Sequence, residues 1–96
     1  MPLRVLAVPS FTRVFKKLHE EDQKTIQKAI ATVAQDPAQG QEKKGDLAGL
    51  FVCKFKLNNQ ETLLGYRLQP SKAAPEQLVL IAVGPPHENF YTAIKR

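Results

Sequence analysis

Apolar positions along the chain change their spacing from strand-like to helical and back to strand-like. Leu3 to Val8 is rich in Leu and Val and predicts a short strand, which Pro9 ends. Ser10 follows as an N-cap, and Phe11, Val14, Phe15 and Leu18 recur at i, i+3, i+4 and i+7. That is the stripe of a helix with one face on a core; Arg13, Lys16 and Lys17 fall outside it. A second helix starts where Glu20, Glu21 and Asp22 complement its N-terminal dipole, and it carries Ile26, Ala29, Ile30 and Val33 on one side. It stops at Asp36-Pro37, because a residue before proline avoids the α region. Helices this close in sequence predict an αα-hairpin.

From Ala38 to Gly49 the composition turns polar and glycine-containing, which predicts a loop. Leu50 to Leu57 then reads as a strand. Its period of two places Phe51, Cys53, Phe55 and Leu57 on one face and Leu50, Val52, Lys54 and Lys56 on the other. Asn58-Asn59 is a hairpin turn, since asparagine tolerates positive φ. A second strand runs from Glu61 to Leu68, with Leu64, Tyr66 and Leu68 in phase and Leu63, Gly65 and Arg67 opposite. After a connection over Pro70 to Pro75, Leu78 to Val83 is apolar on both faces, as a strand flanked on both sides should be. Gly84-Pro85-Pro86 stops it, and His87 to Arg96 predicts a short terminal helix. The order is strand, helical hairpin, three-strand antiparallel meander, short C-terminal helix. The fold class is α+β, with the helices on one sheet face and the other face left as a working surface.

Length adds that residues 1–96 hold one domain with one core. Fourteen Lys and Arg against nine Asp and Glu give a net charge of +5, which favours an anionic partner such as nucleic acid or an acidic protein segment. Cys53 is the single cysteine, so no internal disulfide forms; within an apolar strand pattern it reads as a core residue. No His and Cys cluster has zinc-ligand spacing, and neither a metal nor a cofactor is expected. There is no signal-peptide pattern and no apolar run of the roughly 20 residues a membrane helix needs, so a cytoplasmic protein with no membrane partner is expected.

Two short motifs are more specific. Lys44-Gly45-Asp46-Leu47-Ala48-Gly49-Leu50 lies between the helical hairpin and the meander, and Val83-Gly84-Pro85-Pro86-His87-Glu88-Asn89-Phe90-Tyr91 closes the chain before Lys95-Arg96. The first resembles the turn before the second strand of RelE/ParE superfamily toxins. The second resembles their C-terminal catalytic segment. The resemblance in element order spans Leu3 to Arg96. It implies the toxin of a type II toxin–antitoxin system, with a cognate antitoxin protein as partner. It also leaves two activities open on one fold: cleavage of mRNA on the ribosome, or poisoning of DNA gyrase without nuclease chemistry.

Cleavage of RNA by its own 2′-OH needs an acceptor for that proton, a donor for the leaving oxygen, and cations for the developing phosphorane. His87 and Tyr91, at i and i+4, share one face of a helix, and the resemblance carries the role of acid or base to His87. Tyr91 is carried over as the group that positions or stacks the nucleotide; the plain alternative is a capping histidine and a packed tyrosine. Lys54 and Lys56 point to one side and suit phosphate binding, the plain alternative being two solvated lysines. Arg67 adds a further RNA-binding cation, or pairs with Glu61 or Glu76. His19 reads as a connector or cap, and Lys95 and Arg96 as a solvated tail. Glu61-Thr62 and Pro85-Pro86 stand where many RelE-like toxins carry arginines. Either His87 and the lysine pair carry the chemistry, then, or the chain does little of it.

Overall fold

A computed structural model describes residues 3–70, 73–86 and 90, with the side chain of Asp46 excepted. Strand β1 (Arg4–Ala7) leads into helices α1 (Pro9–Lys16) and α2 (Glu20–Gln35), followed by strands β2 (Gln41–Glu42), β3 (Leu50–Leu57), β4 (Gln60–Gln69) and β5 (Gln77–Gly84). The strands make one sheet in the order β1-β5-β4-β3-β2. β3, β4 and β5 form the expected antiparallel meander, and β1 joins β5 in parallel. β5, apolar on both faces, lies between two neighbours, as its composition predicts.

Pro9 does end β1, but it does so by opening α1. It occupies the first turn, where a missing N–H costs nothing, and Val8 rather than Ser10 is the N-cap. Of the predicted stripe, Phe11 is buried and Phe15 and Leu18 half-buried, while Val14 is 46% exposed. The hairpin is closed by Gln23, whose side-chain amide donates to the carbonyls of Phe15 at 2.9 Å and Leu18 at 3.3 Å. Both carbonyls lie at or just beyond the end of α1, where intrahelical donors run out, and that of Phe15 also accepts from the Leu18 N–H at 3.2 Å.

Phe11, Ile26 and Val33 pack from the helices onto Phe51, Leu64, Tyr66, Leu78 and Leu80 of the sheet. Tyr66 is fully buried, stacks on Phe51 with ring centroids 5.5 Å apart, and donates its hydroxyl hydrogen to the Pro37 carbonyl at 2.7 Å. Burial pushes its phenol up to about 12, because the charged form is poorly solvated there.

The segment expected as a loop over Ala38 to Gly49 is more ordered than that. Gln41 and Glu42 pair with Val52 and Phe51, and short 3-10 turns flank the pair at Pro37–Gln39 and Gly45–Leu47. A strand of two polar residues carries no alternation by which to be found. Gly45 and Gly49 sit at φ of 70° and 88°, conformations that L side chains rarely adopt. Asn58 and Asn59, with φ of 54° and 64°, join β3 to β4 through the expected two-residue hairpin, a type I′ turn. The terminal helix expected over His87 to Arg96 lies outside the described residues apart from Phe90, which is helical and buried.

Candidate functional site

The sheet face turned away from the helices divides in two. Toward one end Leu50, Val52 and Leu63 form a second small core, which Phe90 joins and covers. The face expected to be bare is therefore partly roofed. Three large apolar side chains in phase on neighbouring strands would otherwise meet water, and burying a ring against them is favourable.

Beyond this roof lies an open cleft of about 720 Å³. Lys43 and Lys54 bring positive charge to it, Glu61 a carboxylate, and Gln39 and Gln41 amides. Val52, Leu63 and Pro86 supply its apolar lining. The hairpin register builds the site: Lys54 stands opposite Leu63 and Lys56 opposite Glu61, so both lysines emerge on the same side, as their spacing predicts. Lys54 reaches diagonally to Glu61, Nζ to Oε1 3.4 Å, with both side chains open to solvent. An exposed pair of this kind contributes at most about 1 kcal/mol, so a phosphate can displace it. Lys56 is exposed two residue pairs nearer the turn.

Arg67 stands opposite Leu50, four strand positions from Lys54, which is about 13 Å along the sheet. Its guanidinium Nη1 donates to the Ala48 carbonyl at 3.1 Å and so braces the turn before β3. Of the two carboxylates considered as its partner, Glu61 pairs with Lys54 instead. His87 and Tyr91 lie outside the described residues. His19 is the exposed N-cap residue of α2 and makes no side-chain capping bond. Cys53 is half-buried beside the main core, and burial pushes its thiol up, consistent with a packing role.

Sequence reasoning did not assign Lys43, Gln39 or Gln41 to the site, because β2 and the residues flanking it carry that wall and give no pattern of their own. Glu61 was within reach, since a two-residue turn at Asn58-Asn59 sets it opposite Lys56. Among the described residues no group of three or more His, Cys, Asp or Glu stands together as a metal site. No described helix is long and apolar enough to cross a membrane.

The opposite flank carries a different feature. Val5 and Ala7 of β1 and Phe11, Phe15, Ile30 and Ala34 of the hairpin line an apolar groove of about 450 Å³. The Arg4 and Val8 amides bond inward to β5 residues or their neighbours, so alternation turns the Val5 and Ala7 backbone outward along the free edge of β1.

A family model described as ParE-like toxin of type II bacterial toxin-antitoxin system matches residues 5–95. The chain belongs to the ParE-like toxins. This toxin's fold is similar to that of a mutant of E. coli toxin RelE in the free state, with a TM-score of 0.74 and 17% identity over 98% of this chain and 95% of that one. It is similar also to the toxin–antitoxin complex RelBE2 from Mycobacterium tuberculosis, with a TM-score of 0.71 and 20% identity over 88% of this chain and 99% of that one. A RelE mutant in complex with an antitoxin RelBc peptide gives a TM-score of 0.67 and 18% identity over 93% and 88%. At these identities the likeness is one of fold. No curated protein matches the toxin's sequence.

Proposed function

We propose that the toxin is an endoribonuclease acting on translated mRNA on the ribosome. The observation that carries this reading is the lysine pair, Lys54 and Lys56, on one solvent-open face beside a polar cleft. Lys54 and Lys56 hold backbone phosphate and stabilise the phosphorane, with Arg67 as a further cation along the strand. His87 serves in proton transfer and Tyr91 positions or stacks the nucleotide. Sequence adjacency supports this assignment, since Tyr91 follows Phe90 directly and Phe90 packs on this sheet face. The RNA's own 2′-OH attacks, giving a 2′,3′-cyclic phosphate.

The ParE-like family match favours a second reading, a non-catalytic inhibitor of DNA gyrase. Induction of the gene separates the two. Rapid translation arrest with cut transcripts is expected; double-strand breaks with continuing translation would replace the nuclease by the gyrase inhibitor.

On either reading a separately encoded antitoxin neutralises the toxin. The solved relatives bound to antitoxins support this. Its binding segment, partly disordered when free, folds onto the apolar groove and the open edge of β1, with acidic residues meeting the toxin's positive charge. This is a narrower seat than the basic sheet face or the helical hairpin as a whole.

A further inference from the structure

The geometry points to Glu61 as the general base of the cleavage reaction, the carboxylate that takes the proton from the attacking 2′-hydroxyl. This rests on the ribonuclease reading and divides its roles. Among the described residues lining the cleft, Glu61 is the sole carboxylate. The lysines there are donors, and the amides of Gln39 and Gln41 accept hydrogen bonds without taking up protons at neutral pH. The fold also sets Glu61 beside those cations. It projects from the second residue of β4, its backbone is paired to Lys56, and its Oε1 stands 3.4 Å from Lys54 Nζ. A strand position behind a two-residue turn holds a side chain more precisely than a loop does. The carboxylate nevertheless remains 46% exposed, so substrate can reach it.

The step balances with the residues already proposed. Glu61 accepts the 2′-hydroxyl proton, and the freed oxygen pair forms the O2′–P bond. The P–O5′ bond breaks, and O5′ takes a proton from the His87 imidazolium. Lys54, beside the base, carries the charge of the phosphorane oxygens. The products are a 2′,3′-cyclic phosphate and a 5′-hydroxyl. Glu61 then returns its proton to water, and His87 regains one. On this assignment His87 takes the role of the acid.

The test uses purified toxin and mRNA-programmed ribosomes, with single-turnover cleavage measured across pH. Glu61→Gln should slow cleavage on the order of 100-fold or more while mRNA affinity holds or tightens, because Lys54 loses its counter-ion. The acid limb of the wild-type rate–pH profile should disappear with it, and Glu61→Asp should retain partial rate with that limb present. A substrate with sulfur in place of O5′ needs little help from an acid. It should restore His87→Ala and leave Glu61→Gln slow. Cleavage by Glu61→Gln at the wild-type rate, a loss traceable only to weaker binding, or rescue by the sulfur substrate each overturns the proposal and spares the ribonuclease reading. Wild-type toxin that cuts no mRNA removes both. If Glu61→Gln melts before assay, Glu61→Asp decides: wild-type rate there together with a missing acid limb in the wild type overturns the assignment.

Discussion

The Tyr66 hydroxyl donates a 2.7 Å hydrogen bond to the Pro37 carbonyl, tying the middle strand of the sheet to the turn that follows α2. That single bond fixes where the chain leaves the helical hairpin and enters β2, the strand that carries one wall of the cleft. Tyr66→Phe should therefore destabilise the toxin by about 1–2 kcal/mol, read by denaturant unfolding, since it leaves a carbonyl without its donor.

The same residue sets a pH dependence. Burial raises the folded-state phenol to about 12, above its ordinary value near 10, so the folded toxin keeps the proton longer than the unfolded chain. Its contribution is fully present below about pH 10 and is lost as pH rises toward 12. The readout is the difference between the two proteins. Stability of Tyr66→Phe should fall less steeply than wild type over that range.

Gly40 is required for space beside this tyrosine. A Cβ there would collide with the Tyr66 hydroxyl and lie 3.0 Å from its ring carbon Cζ. Gly40→Ala should destabilise by about 1–3 kcal/mol, as overpacking does. The double variant Gly40→Ala, Tyr66→Phe should lose less than the two single losses added, in a double-mutant cycle by thermal or denaturant melting.

Much of this arrangement is legible in the sequence, and for identifiable reasons. Period-two alternation over Leu50 to Leu57 gives both faces of β3, and Asn58-Asn59 fixes the register that sets Lys56 against Glu61. The stripe through Phe11 and Ile26 gives the hairpin's buried side. Other features turn on contacts between distant segments. Val14 fits the stripe of α1, yet the helix stops at Lys16 and leaves it exposed. Gln41 and Glu42 become a strand only because β3 offers its edge to them. The roof that Phe90 makes over Leu50, Val52 and Leu63 joins residues far apart in sequence, which no local pattern encodes.

The candidate cations should separate by experiment. Lys54→Ala and Lys56→Ala should each reduce the salt dependence of RNA binding by a slope of about one, with little change in stability. Arg67→Ala should behave differently. Loss of its bond to the Ala48 carbonyl should lower stability by about 1 kcal/mol, and Arg67→Lys should restore only part of it. Unfolding curves beside a salt titration of binding give both quantities.

For the antitoxin, a charge in the apolar groove should act where the cleft variants do not. Ala31→Glu lies on the exposed side of α2 at the groove and should weaken antitoxin binding at least tenfold while translation arrest persists. Calorimetric titration of the complex, beside a translation assay, measures the two effects separately.

The parallel pairing of β1 with β5 orders events during synthesis. Arg4–Ala7 leaves the ribosome well before its hydrogen-bonding partner Gln77–Gly84, because the two strands lie far apart in sequence. Until β5 emerges, the nascent polypeptide lacks a partner for β1 and two walls of its core, Leu78 and Leu80. A ribosome making this protein thus completes the toxin's sheet only once β5 has been translated.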